Sequence, residues 1–389
     1  MTIQIGLERI LSDEISKIKG ARIGLICNPS AINQKIIHAF DLFYEHKDFE
    51  LKAIFGPQHG ARAEKQDNMI ESKDQVDPYT GLPIYSLYSS TRKPTEQMVK
   101  DLDILVFDLQ DVGSRYYTFI YTMALAMEAC MEFNKKMVVL DRPNPIGGIA
   151  VQGNILQMHL KSFVGMFPIA VRHGMTVGEL AQMIQKEFNV NCDLEVVPMK
   201  GWNREMYFDD TGLPWVIPSP NMPTLDTAIV YPGMCLLEGT QLSEGRGTTR
   251  PFEIFGAPYI DPWKLLPKME AHKLKGVFFR PCNFEPTFNK YQGEVCGGFQ
   301  IHVTDRKTFN PYLTALAILR EVKALYPKKF AWKGPPYEYE YKKLPIDILS
   351  GDSRIREFIE QGKPLNDFPA LWENELEAFK KKRKKYLLY

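Results

Sequence analysis

With 389 residues, 44% of them hydrophobic and 24% charged, the chain has the composition of an ordinary soluble globular protein and enough length for two domains. A formal net charge of +1 argues against nucleic acid or an anionic membrane as the main partner, since either draws on a positive excess. The six cysteines form no CxxC pair, no segment approaches the ~20 apolar residues of a membrane span, and no basic start precedes an apolar run. Reduced thiols, a cytoplasmic setting and no metal centre are the expectation.

Leu7, Ile10, Leu11, Ile15 and Ile18 recur at helical spacing, which predicts an amphipathic helix over 6–18 ended by Gly20. ARIGLICNPSA reads as a buried strand whose polar end carries Asn28 and Ser30. A helix over 35–44 leads to a second strand from Leu51, TGLPIYSLYS forms a further short strand, and a helix over 95–100 introduces the strand from Asp103. The stretch 117–133 is apolar nearly all round, as a helix buried against a sheet would be, and it runs into KMVVLDRPNP. Strand, helix and strand at these spacings specify right-handed βαβ units and a parallel α/β sheet.

Thr176 and Glu179 then form a capping box that starts another helix, followed by the strand DLEVVPM. Beyond Pro198 the sequence is rich in Pro, Gly and aromatics without a period, so it reads as a long structured loop or a domain junction. Strands GVFFRPCNFEP and GGFQIHVTD and helices over 311–325 and 353–361 make a second, α+β domain. The division expected is 1–230 and 231–389. The last helix places Glu early and Lys/Arg late, which complements its dipole.

The apolar runs from Leu51, Asp103 and Lys136 each end in a dense polar turn. An open α/β sheet binds ligands beyond the carboxyl ends of its strands, so these turns should face one crevice. They supply Gln58, His59, Arg62, Glu64, Asp108, Asp111, Arg115, Tyr117, Arg142 and Asn144. No GxxxxGK[ST], GxGxxG, HExxH or GxSxG motif occurs, which argues against a nucleotide cofactor. The mixture of carboxylates, arginines, amides and aromatics suits a polyhydroxylated, anionic ligand.

Hydrolysing an acetal requires a proton donor and a second carboxylate. Glu64 and Asp111 are the leading candidates, while Asp108 within a strand end reads as a buried hydrogen-bonding group. Glu128, aligned with Tyr121, Leu125 and Glu132, is either the polar edge of a packed helix or an acid whose pKa burial would raise. His59 and His173 each precede glycine and are candidates for ligand binding. Arg62, Arg115, Arg142 and Arg246 could hold a carboxylate bidentately, with two of them expected in internal ion pairs. The loop SEGRGTTRPFE, with Glu244 and Arg246, either reaches over the crevice from the second domain or is structural at the domain interface.

Taken in order, FGPQHGAR, GLPIYSLY, FDLQDVGSRYYTFI, LDRPNPIGG, FPIAVRHGMTVGELA, SPNMPTLDTAIVYPG, EGTQLSEGRGTTRPFE and GFQIHVTDR resemble segments of the exo-β-N-acetylmuramidases, the NamZ-type glycosidases. The resemblance implies a Rossmann-like catalytic domain, a smaller carboxyl-terminal domain and a site in a cleft. It also implies release of N-acetylmuramic acid from the non-reducing end of peptidoglycan fragments in cell-wall recycling, on a saccharide or muropeptide substrate and without a metal or organic cofactor. Gln58, His59, Arg115, Tyr117 and Asn144 would then orient the sugar, and an arginine would meet the lactyl carboxylate. Many members carry Glu where this chain has Gln58 and Gln152, so a catalytically silent muramyl-sugar-binding protein on the same fold is the alternative.

Overall fold

The computed structural model describes residues 3–62, 71 and 73–389; Glu64 lies outside them. The strands in chain order are β1 (Arg22–Cys27), β2 (Glu50–Gly56), β3 (Gln75–Val76), β4 (Pro83–Ser86), β5 (Ile104–Asp108), β6 (Lys136–Leu140), β7 (Gln152–Ile155), β8 (Ala170–Arg172), β9 (Asp193–Val197), β10 (Ile254–Ala257), β11 (Val277–Phe284) and β12 (Cys296–Val303). Seven of them form one sheet in the order β3-β4-β2-β1-β5-β6-β9, parallel throughout except for the β3–β4 pair. From β1 the chain builds outward to β2 and β4, then returns to β5 on the other side and continues to β6 and β9. The switch in direction falls between β1 and β5, where open α/β sheets open a crevice.

The apolar runs become strands because both faces are covered. β5 is buried at every position and β1 at every position after Arg22. One face carries Ile3, Leu7, Leu25, Phe43, Val106, Val138 and Trp202. The other packs Phe55, Phe107 and Val139 against the Phe119–Glu132 helix, and this core continues into the carboxyl-terminal part through Phe299, Leu316, Ile346 and Phe368. There, β10, β12 and β11 form an antiparallel sheet that packs on the Pro262–Glu270 helix, which in turn meets the Pro311–Leu325 helix.

Several elements differ from the expectation. The first helix is only Gly6–Ile10, because the Ser12 hydroxyl takes the Glu8 carbonyl at 2.7 Å and a separate 3-10 turn follows at Ile15–Lys17. The helix expected over 35–44 starts at Ala39, after Ile36 in the left-handed region at φ 61°, and the His38 ring accepts the Phe40 amide at its start. Within the stretch read as loop lies the helix Leu225–Met234, which packs on Pro311–Leu325. No helix among the described residues is long and apolar enough to cross a membrane.

Candidate active site

Gly56 closes β2 with the chain folded tightly back: a Cβ there would lie 2.5 Å from the Ala61 amide. The turn carries Gln58 and His59 into a cleft. Tyr117 and Thr118 reach it from the start of the Phe119–Glu132 helix, Ser219 and Asn221 from the segment before Leu225–Met234, and Glu238, Arg246, Tyr337 and Glu338 from the carboxyl-terminal part. His59 and Glu338 both hold left-handed backbone, at φ 73° and 45°. Non-glycine residues in that region cost free energy and concentrate at functional sites.

Glu338 is 4% exposed and is gripped from both sides. The Tyr88 hydroxyl donates to its Oε2 at 2.6 Å, and Gln58 Nε2 donates to its Oε1 at 3.2 Å. Thr118 Oγ1 donates to Gln58 Oε1 at 2.6 Å, which fixes the amide with its NH₂ toward the glutamate. Burial pushes the Glu338 carboxyl above its ordinary pKa; Tyr88 offsets this only in part, and the negative charge of Glu238 adds to it.

Glu238, on the turn Cys235–Gly239, has the opposite environment. Arg246 donates to its Oε1 through Nη2 at 2.7 Å and Nε at 3.2 Å, and Tyr337 donates to its Oε2. Burial works against the charge, but the guanidinium and the phenol outweigh it and hold the Glu238 carboxyl below its ordinary pKa. Behind this pair, Glu244 lies 3.3 Å from Arg246 Nε and accepts Lys290 Nζ at 2.8 Å. Two carboxyl groups on one cleft, one favoured as acid and one as carboxylate, form the pattern of an acid/base site.

Of the residues singled out in the sequence, Gln58, His59, Tyr117 and Arg246 line the cleft, with Glu244 directly behind. Others lie elsewhere. Arg142 forms a bidentate pair with buried Asp108 at 2.6 and 2.8 Å. Asp111 accepts the Gly113 amide at 2.7 Å and stands 3.3 Å from His173 Nε2, while Asn144 donates to the Met175 carbonyl at 2.9 Å. Arg115 is fully buried on backbone carbonyls, and Arg62 pairs with Asp77 at 2.7 Å. Glu128 is half-buried on its helix and does not line the cleft, and Gln152 bonds Arg172 and the Phe309 carbonyl instead. Sequence reasoning missed Glu238, Glu338 and Tyr88; the first stands in EGTQ, a segment of the family resemblance, and Glu338 in PPYEYEY, which no strand-end signal marks.

Two family models match the chain: the amino-terminal domain of exo-β-N-acetylmuramidase NamZ over residues 23–226 and its carboxyl-terminal domain over 229–389. The peptidoglycan β-N-acetylmuramidase NamZ of Bacillus subtilis (strain 168) is 47% identical over 387 residues, covering 100% of this chain and 91% of that protein. Crystal structures of two DUF1343 family proteins from Bacteroides fragilis NCTC 9343 superpose with TM-scores of 0.90 and 0.79, at 37% and 32% identity, each covering 100% of this chain and 99% of theirs. With both domain models matched and a full-length relative at 47% identity, the chain belongs to the exo-β-N-acetylmuramidase NamZ family.

Proposed function

We propose that this protein is an exo-acting β-N-acetylmuramidase that releases terminal N-acetylmuramic acid from the non-reducing end of peptidoglycan fragments, with Glu338 as proton donor and Glu238 as the facing carboxylate. The observation that carries this assignment is the pair of buried glutamates on one cleft whose surroundings push their pKa values apart. Cleavage of a glycosidic bond needs a protonated acid at the leaving oxygen and a negative charge near the developing oxocarbenium ion. Burial shifts Glu338 toward its protonated form, and Arg246 and Tyr337 shift Glu238 toward its charged form.

With the chain divided at 230, Gln58 and Tyr117 come from the first domain and both glutamates from the second, so the site needs both. The amide at Gln58 has a role that fits an active enzyme, since its NH₂ donates to Glu338 while Thr118 holds its oxygen. This favours catalysis over the silent binding protein.

The test is hydrolysis of a chromogenic N-acetylmuraminide by single variants. Glu338→Gln and Glu238→Gln should each lower turnover by about 10²–10⁴, the usual contribution of such groups. Near-normal rates in both, with loss confined to Asp111→Asn or Glu64→Gln, would transfer the acid/base roles to the strand-end carboxylates.

A further inference from the structure

N-acetylmuramic acid differs from N-acetylglucosamine by a lactyl ether on C3 that ends in a carboxylate. A site that selects for it needs a cation whose donors are not already committed. Around the cleft, the charge of Arg246 is neutralised by Glu238 and Glu244, although its buried Nη1 makes no hydrogen bond among the described residues, and that of Lys290 by Glu244. Arg142 and Arg62 are paired with Asp108 and Asp77, and Arg115 is committed to backbone carbonyls.

Arg92 differs in its charge: it forms no ion pair with a described residue, and its buried Nε and Nη2 make no hydrogen bond among the described residues. Its guanidinium carbon lies 3.9 Å from the centre of the Tyr339 ring, 5.0 Å from Phe163 and 5.3 Å from Tyr88. Such ring contacts do not use the N–H donors, which lie in a plane suited to a carboxylate. Buried donors without acceptors are costly, so the box is built for an acceptor that a ligand brings.

Its position is equally specific. Tyr88, one wall of the box, donates to Glu338, and Tyr339, another wall, follows Glu338 in the chain. Phe163 precedes Val164, which lines the cleft. Tyr88 and Glu338 are buried whereas Arg92, Phe163 and Tyr339 are half-buried, so the box opens outward from the acid.

We propose that Arg92, held in the Tyr88–Phe163–Tyr339 box, recognises the lactyl carboxylate and is the residue that makes the site selective for muramyl over glucosaminyl sugars. The proposal rests on the reading of the chain as a muramidase. Its test compares wild type, Arg92→Gln and Arg92→Lys on a chromogenic N-acetylmuraminide and on the methyl ester of its lactyl group, which is neutral. Both variants should lose about 10–100-fold in kcat/KM on the acid, chiefly through KM, with kcat within a few-fold and the ester little affected. Arg92→Lys keeps a cation on the rings without the planar fork, so it serves if the glutamine variant does not fold. Equal losses on acid and ester, or no loss on the acid, would overturn the proposal. If wild type cleaves neither compound, the muramidase reading fails separately, and calorimetric binding of N-acetylmuramic acid and its methyl ester decides the arginine. Weaker binding of the acid alone in the variants supports it; equal affinity or no binding overturns it.

Discussion

Gln58 touches Glu338 directly, but burial outweighs this contact and sets how activity should depend on pH. Glu338 acts protonated and burial raises its pKa, so kcat/KM should fall as pH rises through a value above the ordinary carboxylate range. Glu238 acts ionised and is held low, so activity should fall on the acid side only below the ordinary range. Gln58→Glu would place a second carboxyl at the position of the amide, 3.2 Å from Glu338, and like charge disfavours ionisation. The basic limb of its pH profile should move to higher pH; an unmoved limb would remove Glu338 as the titrating acid. At this scale Gln58, His59, Tyr117 and Arg246 were legible, because strand-end turns and the SEGRG loop carry chemistry that a connector does not need. Glu338 was not: its partners Tyr88 and Gln58 are 250 and 280 residues away, and no local pattern encodes such a meeting.

Elements whose burial repeats along the sequence were readable in advance. The parallel strands appear as continuous apolar runs, and the Thr176–Glu179 capping box marks the start of Val177–Glu187. The Leu225–Met234 helix was hidden by Pro232 and Gly233, residues that ordinarily end a helix. Tertiary contacts explain both. The Pro232 carbonyl accepts the Tyr116 hydroxyl, and at Gly233 the Pro311 backbone comes so close that a Cβ would lie 1.9 Å from its carbonyl oxygen. Gly233→Ala must therefore drive this helix away from Pro311–Leu325. The overpacking should cost at least about 1–3 kcal/mol, read as a lower denaturation midpoint. Tyr231 and Glu238 flank this contact and line the cleft, so turnover should fall as well. An alanine variant with unchanged stability would show that the two helices have room to separate.

At the scale of the molecule, Arg115 shows why residue type alone does not assign a role. On the turn after β5 it looked like a carboxylate-binding group, yet its side chain is fully buried and donates to four backbone carbonyls: Asn154 at 2.9 Å, Ile169 at 3.1 Å, Leu349 at 3.1 Å and Ser350 at 2.5 Å. Two of these acceptors belong to the β7–β8 region and two to the end of the Pro345–Ser350 helix, so one guanidinium joins segments almost 200 residues apart. Gly351 completes the joint: at φ 71° it packs where a Cβ would lie 2.8 Å from Arg115 Nη2. A planar fork with five donors can serve a ligand carboxylate or a set of carbonyls equally well, and only the fold decides between them. Arg115→Met would take the guanidinium from these carbonyls, of which Ser350 keeps the Asn154 Nδ2 donor, at about 1–3 kcal/mol for each one left without a donor where water does not reach it. The variant should unfold at much lower denaturant, and under conditions where it stays folded its KM for the muraminide should stay near that of wild type. A stable variant whose KM alone rises would instead return Arg115 to the ligand.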